Sequence, residues 1–210
     1  MLYTRLIVLS TLIASTLSCT VGCTTRPSFE TVYTQVTPST VQPNSPIPQA
    51  TGEIILTVTG KVNATQEKTA SSGAASDGQQ RLNIAAAKIA MDRANIEALG
   101  TIEYAVEDPF EKQENTFSGV LFRDLLDLWQ VSENAQQLTI TALNDYQVTI
   151  PITLLREYPV LMAMQQNGQT MTRDYRGPAM LVAPINAYPS VRALANREYW
   201  IWQIKTIHVE

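Results

Sequence analysis

Hydrophobic and polar positions divide the chain into three parts. Residues 6–17 are apolar or small throughout, whereas residues 24–49 are rich in Thr, Pro, Ser and Gln. From Glu53 onwards, apolar residues recur with the periods of strands and helices. We therefore expect the folded domain to span residues 53–210.

Alternating apolar positions predict that strands dominate this domain. Turn residues separate several of the alternating runs, as at residues 143–146 and at Asn167-Gly168, and they indicate hairpins. The apolar runs lie at residues 54–62, 102–106, 138–142, 148–152, 160–164, 179–183 and 199–209.

Spacing typical of helices occurs in two segments. Residues 82–99 are Ala-rich, and Asp92 is suited to cap a second short helix there, over residues 93–99, which Gly100 ends. Residues 118–130 carry a wide apolar face and form the clearest helical pattern. The predicted fold class is α+β, with mixed β-sheets and two or three helices.

The N-terminus has the features of a bacterial export signal. A short charged start precedes an apolar run too short to span a bilayer comfortably. Val21-Gly22-Cys23 then resembles a lipobox, in which cleavage before the cysteine is coupled to lipidation of its thiol. We expect residues 1–22 to be a signal peptide and Cys23 to be lipidated, with Cys19 as the alternative. Ordinary secretion and an uncleaved anchor are the other interpretations.

Residues 23–52 are predicted to be a lipid-anchored tether. Pro at this density prevents helix formation and favours an extended, solvated spacer. Thr24 follows Cys23, so the aspartate that retains lipoproteins in an inner membrane is absent, which favours the outer membrane. The expected location is the periplasmic side of a bacterial cell envelope, on a membrane to which the lipid anchor binds.

Composition excludes several classes of function. The net charge of −4 provides no basic surface for nucleic acid. The single histidine, His208, lies near the C-terminus, which argues against a histidine base in a central site. Cys19 and Cys23 are the only cysteines, so the domain has no cysteine nucleophile, disulfide or cysteine zinc site.

Several segments of the domain form an ordered set. They are Thr57-Val-Thr-Gly60, Leu99–Tyr104 with Asp108-Pro-Phe110, Phe117–Leu126, Ala142–Tyr146 with Ile150-Pro151, Leu161–Ala163, Arg176-Gly177-Pro178 and Trp200-x-Trp202. This set resembles the oxidoreductase molybdopterin-binding domain family, which has the sulfite oxidase fold. The resemblance covers residues 53–209.

The resemblance implies a pterin dithiolene that holds molybdenum and a protein thiolate as a further metal ligand. In the family, that cysteine lies about a dozen residues before the segment matching Phe117-x-Gly119, which corresponds to the neighbourhood of Glu107. No cysteine is present there. A carboxylate cannot replace the electronic role of a thiolate. We therefore expect no cofactor, with molybdopterin held by backbone and arginine contacts as the alternative.

Candidate ligand-binding residues follow from charge and local pattern. Arg176 with Gly177 is the best candidate for an anionic ligand, since guanidinium suits phosphate and glycine allows close backbone approach. Arg123 is a second candidate, and Asp145 with Tyr146 could line a pocket. The alternative interpretations are a solvated arginine in a tight turn, a solvated helix face and plain turn chemistry.

Two further groups of residues have both a functional and a structural interpretation. Trp200 and Trp202 are predicted on one face of a strand, where they could stack on a flat ring or belong to the core. Glu103, Glu107 and Asp108 could bind a cation or be solvated.

The function expected from the sequence is a non-catalytic module of the cell envelope. It would bind a small anion or an envelope partner protein. The alternatives are a molybdopterin-dependent oxidoreductase with atypical metal ligation and a structural lipoprotein.

Overall fold

A computed structural model of the chain describes residues 31–41, 45–66, 88–188, 191 and 199–210. The predicted signal peptide and the lipidation sites Cys23 and Cys19 lie outside these residues. Within them, no helix is long and apolar enough to cross a membrane.

The described residues contain eleven strands and three short helices. The helices are α1 (Arg93–Glu97), α2 (Phe122–Leu128) and α3 (Ile152–Glu157). The strands are β1 (Thr34–Gln35), β2 (Ile54–Gly60), β3 (Ile89–Asp92), β4 (Ile102–Glu107), β5 (Glu114–Leu121), β6 (Gln137–Ala142), β7 (Gln147–Pro151), β8 (Leu161–Gln166), β9 (Gln169–Thr170), β10 (Met180–Val182) and β11 (Ile204–Val209). The predicted α+β class is confirmed.

The strands form two sheets, of which the first is antiparallel and the second is mixed. The first has the order β1-β4-β5-β8-β10, with β9 paired to β8, and its strand pairs are antiparallel. The second has the order β3-β2-β11-β6-β7, in which β11 runs parallel to β2. The predicted hairpins are present, because β6 pairs with β7 and β8 with β9.

The main core includes residues from both sheets and from α2. Phe122, Leu125, Leu126 and Trp129 from the α2 region are fully buried in it. The first sheet also contributes to a smaller second core, which contains Phe117, Leu161 and Trp200. Because this sheet is buried on both faces, β8 is a continuous apolar run rather than an alternating one.

The prediction of helical structure over residues 82–99 is wrong for part of this segment. Residues 89–92 form β3, which pairs with β2, and residues 82–87 lie outside the described part. The cap is confirmed: Asp92 accepts the Asn95 N–H at 2.9 Å and begins α1. Ala and Met suit a buried strand as well as a helix, so apolar spacing alone did not separate the two.

The helix predicted over residues 118–130 is shorter than expected. Residues 118–121 complete β5, which lies between β4 and β8, and α2 begins at Phe122. The strand predicted over residues 199–209 likewise begins only at Ile204. α3 was not predicted, because Ile152 continues the alternation of β7 and conceals the change of element.

The predicted tether is not solvated throughout. Thr34 and Gln35 pair with β4, and Ile47 is only 1% exposed within the main core. Part of residues 23–52 therefore belongs to the folded domain, which corrects the boundary expected at residue 53. A single isoleucine among prolines carries no periodic signal that could have revealed this packing.

Candidate functional site

Asp108 directly follows β4 and is fully buried. It begins the β4–β5 hairpin loop, and its Oδ1 atom accepts the backbone N–H groups of Phe110 at 2.8 Å and Glu111 at 3.1 Å. An aspartate that accepts hydrogen bonds from the next residues is typical of such turns. The carboxylate is thus fixed next to Glu107, the neighbourhood in which the family resemblance implies a thiolate.

Arg176 lies against this carboxylate and is 5% exposed. Its Nη1 atom donates to Oδ2 of Asp108, and its Nη2 atom lies 3.2 Å from Oε1 of Glu111. The guanidinium also lies over the rings of Tyr175 and Trp202, at 5.1 and 5.8 Å from their centroids. Its charge is therefore matched by two carboxylates, and the interpretation of Arg176 as solvated is wrong.

Glu111 accepts hydrogen bonds from side chains in several segments. The Tyr175 hydroxyl donates to its Oε1 atom, while its Oε2 atom accepts from Gln113 at 2.9 Å and from Asn115 at 2.8 Å. These hydrogen bonds, with Tyr175 first, and the charge of Arg176 outweigh desolvation and lower the pKa of Glu111 to about 2. The carboxyl group is therefore held as an anion beside Arg176.

Gly177 allows a close approach of two backbone segments. A Cβ atom at this position would lie 2.1 Å from the Met171 carbonyl oxygen, and the Gly177 N–H donates to the Thr172 carbonyl at 2.8 Å. The space that a side chain would need is taken by the protein's own backbone. Glycine at this position is accounted for by packing without a ligand.

Next to Trp202 lies a pocket of about 290 Å³ that we call the aromatic pocket. It is lined by the β4–β5 loop, the β6–β7 hairpin and the segment before β11. Its lining residues are Phe110, Ala142, Asn144, Tyr146, Trp200, Ile201 and Trp202. The indole N–H of Trp200 is buried without an acceptor among the described residues.

Of the predicted pair Asp145 and Tyr146, the structure places only Tyr146 in this pocket. Asp145 has a positive φ of 66° in the turn, and its carboxylate lies 2.6 Å from the Lys205 ammonium. Arg123 lies on α2, 3.4 Å from the Asp124 carboxylate, and it does not line the pocket.

The two tryptophans lie before β11 rather than on a strand. Trp200 is buried against Phe117, with ring centroids 6.0 Å apart, so the interpretation of Trp200 as a core residue is confirmed. Trp202 packs edge-to-face on Phe110 at 4.8 Å.

The sequence did not predict the ion pairs that Asp108 and Glu111 form with Arg176. The interpretation of Asp108 as solvated is wrong, because its side chain is fully buried in an ion pair. Asp108 and Arg176 are 68 positions apart, and no local spacing links them. The one available signal was an aspartate before Pro109 at the end of an alternating run.

The side chains of this domain do not fit molybdenum held by a protein thiolate. No cysteine lies between residues 24 and 210, and among the described residues no group of three or more His, Cys, Asp or Glu side chains could hold a metal ion. Each described arginine also lies within ion-pair distance of a carboxylate, so none of these guanidinium groups is left unmatched for a pterin phosphate. These arginines are Arg93, Arg123, Arg156, Arg173 and Arg176.

Comparisons with known proteins identify similar sequences and structures. A family model described as oxidoreductase molybdopterin binding domain matches residues 56–198. The solved structure of the sulfane dehydrogenase SoxCD from Paracoccus pantotrophus is similar, with 13% sequence identity and a TM-score of 0.48. That match covers 73% of this chain and 37% of the SoxCD chain. A comparison with curated proteins finds no match.

Proposed function

Because this chain belongs to the oxidoreductase molybdopterin-binding domain family, we propose that it keeps the family fold without the molybdenum chemistry. It serves as a non-catalytic binding module, held at the cell envelope by a lipid on Cys23. Fold alone does not determine function, so the proposal depends on the residues that occupy the site.

The observation that carries the proposal is the buried ion pair of Asp108 and Arg176. It lies at the end of β4, close to the position at which the resemblance implies the metal-ligating cysteine. A soft thiolate places and tunes such a metal, whereas this carboxylate already accepts two backbone N–H groups and the guanidinium. The donor set supports a site that is filled by the protein itself.

Export and anchoring rest on the sequence alone. An apolar run of signal-peptide length precedes Val21-Gly22-Cys23, and a Pro- and Thr-rich segment follows it. A lipid on Cys23 would hold the domain at a membrane surface, and Thr24 favours the outer membrane. Substitution of Cys23 by Ala should release the protein from the membrane fraction, whereas substitution of Cys19 should not.

The proposal is tested by measuring molybdenum and pterin in the purified full-length chain. The protein is produced in a host that makes molybdopterin, next to a catalytic member of the family as a positive control. We expect the control to contain both and this chain to contain neither in stoichiometric amount. Stoichiometric molybdenum with pterin would instead identify an oxidoreductase with atypical ligation.

A further inference from the structure

The aromatic pocket is lined by four aromatic side chains, Phe110, Tyr146, Trp200 and Trp202. Phe110 and Trp202 meet edge-to-face, with centroids 4.8 Å apart and an interplanar angle of 72°. Tyr146, on the β6–β7 hairpin, is 45% exposed, although large hydrophobic side chains are seldom so exposed in the described residues. Aromatic side chains that line a pocket favour contact with flat rings, either offset-stacked or edge-to-face.

The aromatic pocket is lined by uncharged residues. None of its described lining residues carries a formal charge, and the nearby Arg176 is paired with Asp108 and Glu111. The Asn144 side-chain oxygen accepts the Tyr146 N–H at 3.2 Å, and its amide nitrogen has no acceptor in the described part of the chain. The Asn144 amide and the buried Trp200 indole N–H are therefore the hydrogen-bond donors that the lining residues leave for a ligand.

The size of the pocket limits what it can hold. Its volume of about 290 Å³ lies just below the range of small-molecule sites, which is about 300–1,000 Å³. We infer that the aromatic pocket binds an uncharged, planar ring system of one or two rings that carries a hydrogen-bond acceptor. The inference rests on the proposed function and names the chemical class of its ligand.

The inference is tested with nicotinamide as the probe, titrated into the full-length protein and followed by NMR. Nicotinamide is planar and uncharged, and its carbonyl can accept from Asn144. Cyclohexanecarboxamide presents the same amide on a puckered ring, and nicotinate presents the same ring with a charge. We expect saturable binding of nicotinamide and at least about tenfold weaker binding of the other two, since single aromatic stacking contacts contribute on this scale.

Two variants locate the binding. Tyr146→Leu should weaken nicotinamide binding about tenfold. Val36→Ala is the control, because Val36 is 49% exposed and does not line the pocket, and it should leave the affinity unchanged. Equal losses in the two variants, equal binding of cyclohexanecarboxamide, or tighter binding of a polyproline peptide would overturn the inference.

Failure of this inference can be separated from failure of the proposed function. Cofactor-free protein that does not bind nicotinamide saturably would overturn the ligand class alone. Protein that contains stoichiometric molybdopterin would overturn the proposed function and, with it, this inference.

Discussion

At the scale of single residues, the site is dominated by a buried charge cluster. Asp108 and Arg176 are removed from water, and their interaction compensates for desolvation only while both partners are present. Glu111 extends the cluster towards Tyr175 at the surface. The cluster therefore stabilises the β4–β5 loop against the segment that precedes Gly177.

Removal of Arg176 should destabilise the domain strongly. Arg176→Ala leaves the Asp108 carboxylate buried without a counter-charge, and we expect a loss of about 3–5 kcal/mol in the free energy of unfolding. Arg156→Ala is the matched control, because Arg156 pairs with Asp127 at 2.8 Å on the surface and should lose at most about 1 kcal/mol. Urea denaturation measures both, and equal losses would contradict the assigned role.

Glu111 should make the free energy of unfolding decrease as the pH becomes acidic. Its pKa is about 2 in the folded protein and 4.5 in the reference state, so it contributes stability above about pH 4.5 that is lost as the pH falls towards 2. Glu111→Gln should reduce the fall in unfolding free energy between pH 5 and pH 2. Tyr175→Phe, which removes the strongest donor, should reduce it in part. An unchanged acid slope in Glu111→Gln would refute this.

At the scale of elements, alternation in the sequence identified most strands and misplaced the helices. β6 and β7 are buried on one face, so their period of two is clear. β5 is largely buried from Phe117 to Leu121, and its continuous apolar run merges with the face of α2. The site was only partly predictable, because Arg176 and Tyr146 stood out locally while their partners come from distant loops.

The close pairing of β5 and β8 depends on Gly119. A Cβ atom there would lie 2.1 Å from the Met162 carbonyl oxygen, so Gly119→Ala should cost more than the about 1–3 kcal/mol of ordinary overpacking. Gly168→Ala, with open space but a φ of +74°, should cost only about 1–2 kcal/mol. Thermal denaturation compares the two variants, and the opposite order would disprove the close approach.

At the scale of the whole molecule, the folded domain extends further towards the N-terminus than its periodicity indicates. β1 adds a strand to the first sheet, and Ile47 packs in the main core. β1 and Ile47 both precede residues 56–198, which the family model matches. They shorten the segment that the sequence predicts to be an extended spacer.

Substitution of Ile47 tests this boundary. Ile47→Ala should lower the free energy of unfolding by about 2–5 kcal/mol, as expected for a buried isoleucine. Val36→Ala, at a position that is 49% exposed, should change it by no more than about 0.5 kcal/mol. A solvated tether would instead give two equally small effects.

We propose that the buried ion pair of Asp108 and Arg176 stands near the position at which the family resemblance implies the molybdenum ligand, and that it leaves no room for the metal. Native mass spectrometry of the full-length protein, purified from a molybdopterin-producing host, tests this most directly. We expect the mass of the polypeptide without an added molybdopterin or metal. A mass increased by one molybdopterin and its metal would contradict it.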